Sequence, residues 1–180
     1  MKALACILLA LASLPAVAQH HPAPYAGQEA RSIKALSGKE VADLLAGAGM
    51  GYAKAAELNR YPGPMHALEH ADALALTRAQ RDALSSLMAS HKAEARAIGA
   101  RLVEQERELD TLFAARRADA ASVDAALARI AETTARLRGS HLKTHLEATR
   151  ILTPEQVERY AQLRGYASGG GHDHHGRHHR

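Results

Sequence analysis

Two long stretches of the chain carry their apolar residues at alternating steps of four and three positions. The first stretch follows Leu84, Met88, His91, Ala95, Ile98, Leu102, Gln105, Leu109 and Leu112, and the second follows Val123, Leu127, Ile130, Thr134, Leu137, His141, Thr144, Ala148 and Ile151. This spacing gives each of two helices one apolar face, and it predicts an antiparallel helical hairpin or coiled coil with "AARRADAAS" as its turn. A helix of about 36 residues would be roughly 54 Å long at 1.5 Å per residue. The sequence therefore predicts an all-α fold built on an elongated antiparallel hairpin.

The pattern Leu-Thr-x-x-Gln occurs twice, as "LTRAQ" and as "LTPEQ". The two copies are Leu76, Thr77 and Gln80, and Leu152, Thr153 and Gln156. Each threonine suits the N-cap of a helix, because its hydroxyl accepts from a free backbone N–H while the glutamine reaches back to the cap. A hairpin turn centred near Ala118 would bring Gln80 level with Gln156. The two boxes are therefore expected side by side at the open end of the hairpin.

Short helices are expected to flank the hairpin. Ser37 and Glu40 have the spacing of a third capping box, which predicts a helix over residues 38 to about 59, weakened by three glycines. The segment "RYPGP" should end this helix, because proline interrupts helical hydrogen bonding. A second short helix is predicted over residues 65–74.

The first 18 residues have the pattern of a cleavable signal peptide. They contain one lysine, a short apolar run and the small residues Ala16 and Ala18 before the expected cleavage position. We therefore expect export to the periplasm. No later segment approaches the roughly 20 apolar residues of a membrane span, so no stable membrane insertion is expected after cleavage. Cys6, the only cysteine, lies in this leader, which leaves the mature protein without a thiol.

The remaining chain divides by composition into three parts. Residues 19–32 contain several prolines and few apolar side chains, and they predict a flexible arm. Residues 33–166 form the predicted helical-hairpin domain. Residues 167–180 are rich in glycine and histidine and predict a disordered tail.

Composition and motifs argue against two classes of function. The net charge is only +4, aromatic residues make up 3% of the chain and tryptophan is absent, so a nucleic-acid-binding face is not expected. The sequence also has no nucleophile elbow, phosphate-binding glycine loop or HExxH helix. We therefore expect that the protein is not an enzyme.

Two Leu-Thr-x-x-Gln boxes on either side of an Ala-, Arg- and Glu-rich hairpin, behind a cleavable leader, resemble the Spy/CpxP family of periplasmic envelope-stress proteins. The resemblance covers residues 32–166 and implies a cradle-shaped, often homodimeric protein without enzymatic activity. That family includes ATP-independent chaperones, an inhibitor of a two-component stress sensor, and zinc-, nickel- or cobalt-binding proteins of metal resistance. The implied partners are unfolded or stress-related periplasmic proteins, or a sensor kinase. The shared fold cannot choose among these roles.

Histidine is unusually frequent, with twelve copies. Five of them lie on the glycine-rich tail, at His172, His174, His175, His178 and His179. Their imidazoles suit Zn²⁺, Ni²⁺ or Cu²⁺, although a solvated low-complexity tail or a purification remnant has the same composition. Signal cleavage would also expose Gln19, His20 and His21, whose free amine and third-position histidine can bind Cu²⁺ or Ni²⁺.

Two further pairs of histidines are four positions apart, which places both imidazoles of a pair on one helical face. The first pair is His66 and His70, with Glu69 or Met65 as accessory ligands. The alternative for this pair is an ordinary amphipathic helix without a metal.

The second pair, His141 and His145, has a stronger argument. The predicted register brings His91 level with His145 and within one turn of His141. The three histidines could then share a zinc, nickel, cobalt or copper ion, with Glu94 or a water completing the set. A polar layer that sets the register of two helices would have the same sequence pattern.

Many arginines lie along the predicted hairpin, between alanines that are expected to be exposed. Those considered for binding weakly hydrophobic clients are Arg96, Arg101, Arg107, Arg129 and Arg136. Their apolar stems could cover a client, but a solvated helical face would look the same. The first hypothesis is thus a chaperone or envelope-stress protein with linked metal binding. The alternatives are a metal-resistance protein that buffers or senses ions, and a purely structural interaction module.

Overall fold

The computed structural model of the chain describes residues 23–166, so the predicted signal peptide and the glycine- and histidine-rich tail lie outside the described residues. Within that range the chain forms six helices and no strand. They are α1 (Gly38–Ala46), α2 (Lys54–Glu57), α3 (Pro64–Glu69), α4 (Arg78–Ala114), α5 (Ala120–Ile151) and α6 (Pro154–Leu163). The predicted all-α class is confirmed.

The described residues fall into two units. Residues 23–30 make hydrogen-bonded turns, in which the Ala26 and Gln28 amides donate to the carbonyls of Ala23 and Tyr25. Residues 31–166 form the helical unit, and the packing described below belongs to this unit alone.

The predicted hairpin is confirmed as the pairing of α4 with α5. Asp119 is the N-cap of α5, where its side chain accepts from the Ser122 amide. Thr77 and Thr153 are the N-caps of α4 and α6, and each accepts from the amide of the glutamine three positions on. Every long helix therefore begins at a capping box that is readable in the sequence.

The first flanking helix is much shorter than predicted. α1 does start after the Ser37 capping box, but it ends at Ala46, because Gly47 adopts a left-handed conformation with φ 64°. The chain then turns before the single-turn helix α2. The predicted helix over 38 to about 59 is therefore wrong in its second half, since a left-handed glycine ends a helix rather than bending it.

The predicted facing of the two long helices holds in the middle of the hairpin but shifts near its turn. A turn centred near Ala118 places Ile98 opposite Leu137, and both residues belong to one buried cluster. A turn centred near Ala118 also places Leu127 opposite Leu109, but Leu127 is 47% exposed while Ala126 is buried. Near the turn, the buried position on α5 is thus Ala126, one residue earlier than the spacing pattern predicted.

Two buried apolar clusters hold the helical unit together. The open-end cluster contains Leu84, Ala148, Leu152 and Tyr160. The second cluster contains Ile33, Leu44, Ala95, Ile98, Leu102, Val103 and Leu137. Each long helix supplies residues to both clusters, and on each helix a histidine lies in sequence between the two sets. These histidines are His91 on α4 and His141 on α5.

α1 packs on α4 at a position where only glycine fits. A Cβ built on Gly99 would lie 2.2 Å from the carbonyl oxygen of Leu44. The close approach buries Leu44 against the second cluster and fixes α1 on the hairpin. Across the described range 23–166, no helix has the length and apolarity needed to cross a membrane.

Candidate metal centre

Two histidines from the two long helices meet inside the hairpin. Nε2 of His91 on α4 lies 3.0 Å from Nδ1 of His141 on α5, and the rings meet edge to face. Nδ1 of His91 lies 3.2 Å from the Ser140 hydroxyl, which in turn donates to Glu94 Oε2 at 2.7 Å. We call His91, Ser140 and His141 the polar layer.

His141 is the most enclosed member of the polar layer. The residue is only 5% exposed, and Tyr52 stacks on its ring at a centroid distance of 5.5 Å. Burial, together with the nearby His91 and His145, lowers the pKa of His141 to about 4, so its ring is neutral at neutral pH. Its Nε2 atom is buried and has no hydrogen-bond partner.

His145 lies one turn further along α5 and makes different contacts. Its Nδ1 donates to the carbonyl oxygen of Tyr61 at 2.8 Å and lies 3.6 Å from Glu57 Oε2. The ring packs so closely on Gly63 that a Cβ there would lie 2.9 Å from Cε1 of His145. His145 is thus positioned by the segment between α2 and α3.

The predicted cluster of His91, His141 and His145 is therefore only partly assembled. His91 and His141 are in direct contact, but His145 is held by Tyr61, and Glu94 accepts from Ser140. Within residues 23–166, no group of three His, Cys, Asp or Glu side chains is arranged to hold a metal ion. His141 contacts His91 from within one turn, as the register predicted, whereas the hydrogen bond to the Tyr61 carbonyl holds the His145 imidazole on the segment between α2 and α3.

A buried carboxylate lies beside His145, and sequence reasoning missed it. Glu57 Oε1 accepts from the Tyr160 hydroxyl at 2.6 Å and from Arg164 Nε at 3.2 Å. Burial and the Glu57 carboxylate raise the pKa of Tyr160. Oε2 of Glu57 is buried without a partner. No sequence pattern links these residues, because the contacts join α2 to α6 across about a hundred positions.

The other predicted pair is divided by a helix end. His66 lies in α3, and its Nδ1 is 2.8 Å from Glu69 Oε2, which lowers the pKa of Glu69. His70 is the C-cap of the same helix, and Met65 is half exposed. His66 therefore makes a local hydrogen bond with Glu69, and the backbone N–H of His70 donates to the His66 carbonyl.

The arginines considered for client binding are all exposed. Arg107 pairs with Glu104, Arg129 pairs with Glu108, and Nε of Arg96 donates to the carbonyl of Ala46. Arg136 lines a surface cavity of about 480 Å³, together with Glu94 and Ser140. The histidines of the arm and the tail lie outside the described residues.

Comparison with known proteins gives one match. Residues 41–159, more than half of the chain, match the family model described as heavy-metal resistance. The chain belongs to the heavy-metal resistance family. This family is part of the Spy/CpxP-like helical superfamily, so the resemblance noted above holds at the level of the superfamily. Searches of curated proteins and of solved structures find no significant match.

One buried imidazole nitrogen among the described residues has the donor chemistry that a metal ion of the kind this family name implies would use. Imidazole nitrogens are suitable ligands for zinc, nickel, cobalt and copper ions. The unpartnered Nε2 of His141 is such a nitrogen, and a buried polar atom without a partner costs free energy that a ligand would recover. His145, four positions later, is the nearest second imidazole on the same helix.

Proposed function

We propose that the chain is an exported, non-enzymatic metal-resistance protein that binds divalent transition-metal ions through histidine. Membership of the heavy-metal resistance family supports the role. The observation that carries the proposal is the buried, unpartnered Nε2 of His141 beside a second histidine four positions later. The histidines of the arm and tail would supply looser sites.

The structured site and the terminal sites can be separated by substitution. In a terminal-histidine variant of the full-length chain, His20, His21 and the five tail histidines are replaced by alanine. A second variant carries His141→Ala and His145→Ala, and a third combines both sets. Isothermal titration with Zn²⁺, Ni²⁺ and Cu²⁺ should show one tighter site that the terminal-histidine variant keeps and the other two lose.

The matched control replaces His66 and His70 by alanine, a pair with the same spacing outside the polar layer. This control should keep the tighter site. Absence of binding by the unaltered full-length chain for all three ions would contradict the proposed function. Loss of all binding in the terminal-histidine variant would confine metal binding to the termini.

A second candidate function, ATP-independent binding of unfolded proteins, is favoured by exposed apolar side chains on the segment that covers the hairpin. These are Leu45, Met50, Leu58, Tyr61 and Met65. Exposed arginines on the neighbouring helices would keep a bound client in solution. The chain should then suppress aggregation of a denatured client without ATP, and Leu58→Ser with Met65→Ser should weaken that effect while metal binding stays unchanged. Failure to suppress aggregation at several-fold molar excess would exclude this function.

A further inference from the structure

The donor and the acceptor of each hydrogen bond in the polar layer can be assigned in turn, starting from Glu94. The Glu94 carboxylate can only accept, so the Ser140 hydroxyl donates its single hydrogen to Glu94 at 2.7 Å. The oxygen of Ser140 must therefore accept from Nδ1 of His91, 3.2 Å away. Nδ1 of His91 carries the hydrogen, and in a neutral ring its Nε2 is an acceptor.

The same direction continues into His141. Because Nε2 of His91 accepts, Nδ1 of His141 must carry the hydrogen that joins the two rings across 3.0 Å. In the neutral ring of His141 the remaining nitrogen, Nε2, is then a bare lone pair. This nitrogen is the buried atom without a partner.

His145 has the same polarity for an independent reason. Its Nδ1 lies 2.8 Å from the carbonyl oxygen of Tyr61, and a carbonyl can only accept. Nδ1 of His145 therefore carries a hydrogen, and Nε2 of the neutral ring is again a lone pair. Both histidines of the α5 pair thus donate through Nδ1 and keep Nε2 free, which is the tautomer a metal ion needs at Nε2.

We propose that Nε2 of His141 and Nε2 of His145 are the imidazole ligands of the metal site, and that Glu94, Ser140 and His91 form a positioning chain that holds His141 in the ligating tautomer. This inference rests on the proposed function, since it assigns the ligands of that site. It also changes the role of His91, which supports the ligand His141 and does not touch the ion. Histidine ligands commonly donate their second nitrogen to such a partner, and loss of the partner costs 10- to 100-fold in metal affinity.

Glu94 is the most informative member of the chain to change. It is exposed, so Glu94→Ala should fold, and the freed Ser140 hydroxyl can then donate to His91. That reversal would place the hydrogen of His141 on Nε2 and block the ligand. Glu94→Gln removes the same charge but keeps an oxygen that accepts from Ser140. Glu132→Ala is the matched control, because Glu132 is an exposed carboxylate that lines the same surface cavity.

The first measurement uses the metal-free terminal-histidine variant of the full-length chain at neutral pH. Nitrogen-15 NMR of the imidazoles should show hydrogen on Nδ1 for His91, His141 and His145. In Glu94→Ala, His91 and His141 should change to the Nε2–H form while His145 does not. A resting Nε2–H form of His141 would overturn the assignment, whatever the protein's metal affinity.

The second measurement is Zn²⁺ affinity in the same background. Glu94→Ala should weaken binding by about 10- to 100-fold. Glu94→Gln and Glu132→Ala should change the Zn²⁺ affinity by less than about threefold, which is well below the loss expected for Glu94→Ala. Equal losses in Glu94→Ala and Glu94→Gln would mean that charge alone matters and would overturn the positioning chain. If the background variant shows the expected tautomers but binds no Zn²⁺, the ligand assignment fails while the direction of the chain stands.

Discussion

Gln80 and Gln156 hold each other through two hydrogen bonds. Nε2 of Gln80 donates to Oε1 of Gln156 at 2.7 Å, and Nε2 of Gln156 donates to Oε1 of Gln80 at 3.1 Å. Each amide also donates to a backbone carbonyl, that of Ile151 for Gln80 and that of Leu74 for Gln156. The repeated box therefore joins the starts of α4 and α6 at the open end of the hairpin, in addition to capping each helix.

This pairing predicts that substitutions of the two glutamines have non-additive effects on the free energy of unfolding. Gln80→Ala and Gln156→Ala should each destabilise the fold, because each leaves a partly buried amide without its partner. The double variant should lose less than the sum, with an interaction free energy of about 1 kcal/mol. Urea unfolding of the four proteins measures this value. Gln162→Ala, an exposed glutamine on α6, is the control and should change stability little. Strict additivity would show that the two boxes act separately.

Gly99 and Gly139 form a matched pair of helical glycines. Gly99→Ala should destabilise the protein by about 1–3 kcal/mol, because the new Cβ would collide with the Leu44 carbonyl oxygen. Gly139→Ala meets nothing within 4 Å and should stabilise it by about 0.5–1 kcal/mol through helix propensity. Thermal unfolding compares the two variants. An equal effect of both substitutions would contradict the close crossing of α1 and α4.

Gly63 should be required for the position of His145. A Cβ at Gly63 would lie 2.9 Å from Cε1 of His145, so Gly63→Ala must move the imidazole and weaken its bond to the Tyr61 carbonyl. We expect Zn²⁺ affinity in the terminal-histidine variant to fall by about 10-fold or more. Gly49→Ala is the control, because its Cβ would meet nothing within 4 Å. Unchanged affinity in Gly63→Ala would remove His145 from the site.

Acidification should destabilise the fold through His141. Its pKa is about 4 in the folded protein against an ordinary value of 6.5. The stabilising difference is fully present above the unfolded value and is lost as pH falls from 6.5 towards 4, because only the unfolded chain then binds the proton. Burial lowers the pKa of His91 in the same direction.

The size of this effect from His141 is on the order of 3 kcal/mol across the window. Urea unfolding at about pH 7.5 and about pH 5, without metal, should show about 2 kcal/mol of this loss, because pH 5 lies only part of the way down the window. His141→Phe should flatten the pH dependence, whereas His70→Gln, outside the polar layer, should not. A His141→Phe protein with the full pH dependence would assign the effect to other groups.

The features that could be predicted from the sequence are those set by local chemistry. Capping boxes depend on residues three positions apart, so Ser37, Thr77 and Thr153 marked helix starts correctly. The alternating four and three spacing identified the hairpin, since its long helices bury one face each. The spacing also put Gln80 level with Gln156, and the two amides do pair.

The remaining features depend on contacts that leave no pattern in the sequence. Nothing in the sequence distinguishes Gly99 from an ordinary helical position, because its role depends on the close approach of α1. Val103, four residues later on α4, is buried in the same cluster as Leu44 of α1 although it lies outside the predicted apolar pattern. The hydrogen bond between His145 and the Tyr61 carbonyl likewise has no sequence pattern, and it holds His145 on the segment between α2 and α3 while His141 contacts His91. Ser140 and Glu57 could not be predicted for a related reason. A polar residue at the margin of a core has no distinctive spacing in the sequence.

The enclosure of Nε2 of His141 has a kinetic consequence. The atom is buried, so an ion bound there could leave only when the side chains around it move. Its release would then proceed at the rate of that opening, and raising the concentration of an added chelator would not hasten it. Two ions of equal affinity would be exchanged equally slowly, so on times shorter than that opening the protein would keep whichever ion arrived first.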